Sequence, residues 1–388
     1  MKKRLTHSLF LAALMLIACR CMAGISTQNL RCEMLENPRG IDAMHPRLSW
    51  EITGDGRGIR QTAYQVIVAS TPAKLAANVG DLWDSRKVNS DRSIMISYAG
   101  KPLTSRAACY WKVKIWTNKG ESAWSQPASW TEGLLNAADW KAKWIGYDHG
   151  FPWDSVSKFS RLSARYYRKQ FNAPQTIKKA TVYVVGLGHY ELFINGQPVS
   201  DQVLSTPPTD YTKSVIYNTF DITKNIKQGA NAIAAVLGNG RFFTMRPKYK
   251  PKKIKEFGFP KMLLQLELEY ANGTKQVIVS DGSWKFTADG PIRTNNEYDG
   301  EEYDATKEFP GWNNTGFDDS QWLKPELVAA PGGKLLAQMN EPIRVVQIIK
   351  PIAAKPLNTG TYIMDMGQNM AGWLNMKVKG NRGQKVQL

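Results

Sequence analysis

The sequence predicts an all-β chain built of consecutive sandwiches. Three observations predict it. Apolar and polar residues alternate with period two in short runs, the pattern of half-buried strands. Those runs end in Gly- and Asn-rich turns such as Gly54-Asp-Gly56, Asn118-Lys-Gly120, Asn195-Gly196, Asn272-Gly273 and Asp281-Gly282. The 388 residues include 31 Gly, 20 Pro and 13 Trp, a mixture that favours strands and turns over long helices. No strongly amphipathic helix follows residue 23, so no helical barrel is expected.

Residues 1–23 read as an export leader. Lys2, Lys3 and Arg4 precede an apolar run from Leu9 to Ala18, about half of the ~20 residues needed to span a bilayer. No transmembrane span is expected. Two exits stay open: Cys21-Met22-Ala23 offers cleavage before Gly24 and soluble export, periplasmic or secreted, while Leu16-Ile17-Ala18-Cys19 offers a lipoprotein anchored at Cys19. Beyond the leader remain Cys32 and Cys109, with no C-x-x-C pair, which excludes a zinc-finger-type site. They are read either as two buried thiols or as a disulfide.

Residues 27–133 form a first unit of fibronectin-type-III-like size. Its strands include Tyr64-Gln-Val-Ile-Val68 and Trp111-Lys-Val-Lys-Ile115, where Trp111, Val113 and Ile115 face one side and Lys112 and Lys114 the other. Residues 138–335 form a second, with longer strands and larger loops that suit a galactose-binding-like jelly roll. Its strands include Thr181–Val185, Glu191–Ile194, Leu263–Leu268 and Val277–Val279. Phe317 and Trp322 are expected in its core, around an Asp318-Asp319-Ser320 turn. Residues 340–388 begin a further sandwich, with a strand Leu374–Lys379, too short to complete one.

Order and wording then become specific. The first unit carries Asn37-Pro-Arg-Gly40, Pro46-Arg-Leu-Ser-Trp50, Gln61-Thr-Ala-Tyr-Gln-Val66, Leu82-Trp-Asp-Ser85 and Tyr110-Trp-Lys-Val113. The second carries Tyr190-Glu-Leu-Phe-Ile-Asn-Gly196, Thr209-Asp-Tyr211, Tyr217–Thr223, Leu237-Gly-Asn-Gly240, Tyr298–Ala305 and Gly316–Trp322; the third carries Asp365–Trp373. In this order they resemble the non-catalytic N-terminal region of bacterial α-L-rhamnosidases of glycoside hydrolase family 78. The resemblance implies an exported enzyme that removes terminal α-L-rhamnose from plant polysaccharides or glycosides with inversion. It also implies catalysis by two Glu in an α/α barrel downstream. No stretch here matches that acidic motif, so no catalytic residue is assigned; the downstream catalytic domain is expected to be absent and the chain inactive alone. The different-class reading is a freestanding carbohydrate-binding protein.

Candidate sites follow from chemistry. A sugar offers apolar C–H faces and a hydroxyl rim, which suits aromatics flanked by polar side chains. Asp210, Tyr211, Asn239, Arg241, Glu302 and Tyr303 supply such groups. In some relatives the corresponding domain binds rhamnose with calcium. This chain departs from the common pattern, with Pro207-Pro208 where Gly-Trp is usual and Arg241 where Trp is usual. The acidic run Glu297–Asp304 has three readings: a solvated loop of capping carboxylates, a contact for Ca²⁺ or sugar, or an acid/base pair. Asp299, Glu301 and Asp304 are the candidate metal ligands; no cofactor is required and Ca²⁺ stays open. His7, His45, His149 and His189 are scattered and receive no role.

The formal net charge is +18. Arg241, Arg246, Lys248, Lys250, Lys252, Lys253 and Lys255 face Glu256 alone in one stretch, broken by Pro247 and Pro251 and carrying Phe242, Phe243 and Tyr249. Such a loop suits single-stranded nucleic acid. For an exported protein the expected anionic partner is instead acidic polysaccharide, the galacturonate of pectin, with no nucleic acid; a merely solvated loop is the other reading.

Overall fold

The computed structural model describes residues 24–154, 162–243, 257–297 and 300–388. The leader with Cys19, Asp299 and the basic stretch from residue 244 to 256 lie outside the described residues. The chain divides into two compact units, one ending at Trp140 and taking in Ala337–Glu341, the other comprising Lys141–Leu336 and Pro342–Leu388.

The first unit is an antiparallel sandwich. Strands Ser26–Cys32, Arg47–Thr53 and Ile96–Ser97 make one sheet. Gln61–Ala69 and Ala108–Thr117 form the spine of a six-stranded second sheet. The alternation fixes what lies between: Val66, Val68, Trp111, Val113 and Ile115 are fully buried, with Trp50 and Trp130 packed beside them. Around Gln61 the buried polar groups are bonded. Trp50 Nε1 donates to Gln61 Oε1 at 3.0 Å, and Gln61 Nε2 donates to the Ser90 and Arg92 carbonyls at 3.1 and 2.7 Å. Cys32 and Cys109 are buried free thiols, and burial pushes the Cys109 thiol up to about 12 and Cys32 higher still.

The second unit packs a seven-stranded sheet on a five-stranded one. In the larger sheet Lys261–Tyr270 pairs Ile177–Leu187, which pairs Ser214–Asp221. In the smaller, Gly229–Leu237 lies between Tyr190–Ile194 and Arg165–Ala173. Val182, Val184, Leu192, Ile233, Leu264, Leu266 and Phe286 fill the space between them. Phe317 and Trp322 are not in that core. They are half-buried, part of a segment that lies against the outer face of the small sheet, where Trp312 meets Phe193 and Tyr166 edge-on. Arg168, fully buried, holds the segment: its Nε donates to the Trp312 carbonyl at 2.7 Å, its Nη2 to the Asn314 carbonyl at 2.8 Å, and it pairs with Asp319.

Farther on, Ala353–Asn358 and Thr361–Asp365 form a hairpin with mostly exposed side chains. The expected strand Leu374–Lys379 does not form. A strand needs a neighbour for its N–H and C=O groups, and among the described residues none lies beside it.

Candidate functional site

Four segments of the second unit converge at one end of its small sheet. Gly188-His189 links Ile177–Leu187 to Tyr190–Ile194. Gly238–Phe243 leaves the strand Gly229–Leu237. Ile292–Asn296 pairs with Gly300–Tyr303, and Thr209–Tyr211 precedes Ser214–Asp221. Glycine permits the approach. Gly188 has φ +108°, and a Cβ there would stand 1.9 Å from the Gly238 carbonyl oxygen.

The structure sorts the predicted residues by burial. Tyr211 is not a stacking surface. It is 2% exposed, its ring edge-on to Phe242 at 5.1 Å and Phe257 at 4.9 Å. Burial, with Glu297 nearby, pushes its hydroxyl up to about 12. Asn239 is fully buried and serves the backbone: its Nδ2 donates to the Leu162 and Asn295 carbonyls at 3.1 and 2.6 Å, and its N–H donates to Asn295 Oδ1 at 2.6 Å. Phe242 and Phe243 are buried too, so neither ring is available to stack on a base or sugar. Both are drawn inward because a loop between apolar sheet ends must cover them.

Arg241 stays at the surface. Its Nε donates to Glu297 Oε2 at 2.7 Å, and His189 Nε2 lies 3.2 Å from Glu297 Oε1. These partners hold the Glu297 carboxyl below its usual range, His189 contributing most. His189, which has no role on sequence grounds, thus belongs to the same rim. The dense glycines on either side of the contact, Gly186, Gly188, Gly238 and Gly240, were the signal for it. Asp210 stays half-exposed and closes its own turn, with Oδ1 accepting from Thr212 Oγ1 at 2.6 Å.

The described carboxylates of the acidic hairpin have separate surroundings. Asp304 accepts from the Thr306 N–H and hydroxyl at 2.9 and 2.7 Å, which holds its carboxyl low. Glu302 and Tyr303 are exposed, and the Tyr303 hydroxyl donates to Glu308 Oε1 at 2.7 Å. Glu301 is raised, first by loss of solvent and then by the neighbouring Glu191. Among the described residues no three His, Cys, Asp or Glu side chains gather as metal ligands; Asp299, the third candidate, lies outside them. The arrangement offers a charged rim of Arg241, Glu297 and His189 over a floor of buried aromatics.

Comparison with known proteins places this architecture. Residues 175–347 match the family described as the α-L-rhamnosidase N-terminal domain. Residues 27–136 match a Rha78A-like N-terminal immunoglobulin domain, and residues 355–388 match a bacterial α-L-rhamnosidase concanavalin-like domain. An α-L-rhamnosidase of Formosa agariphila is 33% identical over 99% of this chain and 43% of its own length. One from an Alteromonas species is 34% identical over 91% of this chain and 38% of its own. Among solved structures, the α-L-rhamnosidase of Dictyoglumus thermophilum is 41% identical with a TM-score of 0.80, over 90% of this chain and 39% of that one. The Streptomyces avermitilis enzyme, solved with L-rhamnose, is 26% identical with a TM-score of 0.77, over 89% of this chain and 49% of that one.

Proposed function

Because the chain belongs, through its N-terminal domains, to the α-L-rhamnosidases of glycoside hydrolase family 78, we propose that it is the accessory and scaffolding portion of an exported α-L-rhamnosidase, without hydrolytic activity by itself. The observation that carries this reading is the coverage: the chain spans 43% and 38% of the first two curated relatives, all of it within their N-terminal portion. In this reading residues 27–133, 138–335 and 340–388 are successive β domains, and the substrate of the complete enzyme is a plant glycan ending in α-L-rhamnose. The basic start and apolar run of residues 1–23 support export, either cleaved before Gly24 or lipidated at Cys19. No helix among the described residues is long and apolar enough to cross a membrane.

Incubation of the purified chain with an aryl α-L-rhamnoside tests the proposal. Release of the aryl alcohol is expected at buffer background, whereas turnover comparable to a complete relative overturns it. Intact mass of the exported product tests the leader: soluble cleavage leaves Gly24 as the N-terminus, and an anchor leaves a lipidated Cys19.

A second reading, glycan binding, is favoured by the exposed rim of Arg241, Glu297 and His189. Titration with L-rhamnose and with pectic oligosaccharides tests it, using Glu297→Gln rather than any change at the buried Tyr211. Weakened binding in that variant supports the site, and flat titrations of the parent chain remove it.

A further inference from the structure

The outer face of the six-stranded sheet in the first unit carries positive charge that the sandwich does not use. With Trp111, Val113 and Ile115 turned inward, Tyr110, Lys112, Lys114 and Trp116 stand on the opposite side of the strand Ala108–Thr117. On the strand Gln61–Ala69 their neighbours are Ala69, Ile67, Gln65 and Ala63, none of them charged, while on the other side Trp116 faces Glu121 and Tyr110 faces Ser129. Lys112 is 9% exposed. Its ammonium meets an indole, with Nζ 5.3 Å from the Trp124 ring centroid, and among the described residues no carboxylate pairs with it. Burial alone pulls its pKa down. Two more lysines approach the half-buried Trp116, with Lys87 Nζ 4.5 Å and Lys114 Nζ 5.2 Å from its ring centroid. Lys114 is answered by Glu121 at 3.0 Å, and Asp84, also on this face, is taken by Gln65 at 2.8 Å and by Arg86. Glu121, its carboxyl lowered first by Lys114, also feels Lys87, yet among the described residues neither Lys87 nor Lys112 forms a direct ion pair with a carboxylate.

An ammonium deprived of water and unpaired is costly, and an incoming anion offsets that cost. Indole rings give apolar surface to the C–H face of a pyranose, and an ammonium pairs a carboxylate. One ligand has both features. We infer that this face binds the uronate residues of an acidic polysaccharide, whose carboxylates pair with Lys87 and Lys112 while its sugar rings lie along Trp116 and Trp124. The inference rests on the reading that the chain serves a glycan-degrading enzyme, and it uses a face in a different unit from the Arg241–Glu297 rim.

Calorimetric titration of the whole chain with a galacturonate hexamer tests it, beside the methyl-esterified hexamer, a glutamate hexamer and a single-stranded oligonucleotide. The free-acid hexamer is expected to bind and its methyl ester to fail. Lys87→Gln and Lys112→Met are each expected to weaken binding roughly fivefold, the loss of about one charge contact. Lys112→Met keeps an apolar stem over Trp124, and Lys87 is exposed, so an unchanged melting temperature verifies that both variants fold. Equal binding of the glutamate peptide or the oligonucleotide overturns the inference, as does binding that neither variant alters, or no binding of the hexamer. The two readings fail separately. Turnover of the aryl α-L-rhamnoside by the chain overturns the proposed function and leaves uronate binding at Lys87 and Lys112 standing, whereas background release without uronate binding overturns this inference alone.

Discussion

Glu132 shows how one side chain sets a pH dependence. It is 1% exposed, accepts from Trp130 Nε1 at 2.9 Å, and is raised from 4.5 to about 8, by burial first and by nearby Asp42 as well. Its folded form therefore holds a proton that the unfolded chain releases near 4.5. The contribution to stability is complete below that value, falls as pH rises, and is lost once pH passes about 8. Melting the protein across this window is expected to show a decline that Glu132→Gln flattens, on the order of 2–4 kcal/mol between the ends. Asp81 and Asp139 act in the opposite sense. Held near 2 despite partial burial, by Lys74 and Ser70 in one case and by Ser105 and Arg106 in the other, they stabilise above the ordinary carboxyl range and lose that contribution as pH falls through about 2. Arg168 is the matching case of a buried cation. Arg168→Ala leaves the Trp312 and Asn314 carbonyls and Asp319 without their donor, and is expected to cost about 3–5 kcal/mol. Faster hydrogen exchange across residues 309–322 than elsewhere in the unit is the measurement that locates the loss.

Among the elements, the Asn195-Gly196 turn is one place where sequence and structure agree at the level of dihedrals. Asn195 has φ 50° and Gly196 φ 80°, joining Tyr190–Ile194 to Gln197–Pro198, and the Asn195 amide also bonds Asn231 Oδ1 and the Ala232 N–H at 2.8 and 2.9 Å. A Cβ on Gly196 would come within 2.4 Å of Asn314 Oδ1. Gly196→Ala is therefore expected to destabilise by roughly 1–2 kcal/mol, read as a lower denaturant midpoint with an unchanged slope. The strand Trp111–Ile115 was legible because period two reports which face is dry, and Thr181–Val185, buried on both faces, because its residues are β-branched and aromatic. The loops were not. Tyr211 and Asn239 sit where no period exists, and their sequence neighbours cannot tell a ring that covers the core from one that faces a ligand. Leu374–Lys379 fails for a related reason: alternation marks a segment fit for a strand but does not provide the strand beside it.

For the whole molecule, the charge of +18 is better read by its placement than by its sum. The sign suggested an anionic partner, while the geometry separates lysines in direct ion pairs, such as Lys114, from Lys87 and Lys112, which form none among the described residues. The order of family-like motifs made the architecture legible; the rim of His189, Arg241 and Glu297 was not, because its members come from loops more than fifty residues apart in sequence. A chain that lacks a working acid/base pair is expected to hydrolyse an aryl α-L-rhamnoside more than about a hundredfold slower than a complete relative, the scale such a pair contributes. The two core thiols, finally, make the first sandwich its own stopwatch. Cys32 and Cys109 are sealed and protonated, and residues 141–388 contain no cysteine. In protein starting at Gly24, a thiol-reactive dye therefore has nothing to label until that sandwich opens, so the labelling rate times its breathing while the second unit stays silent.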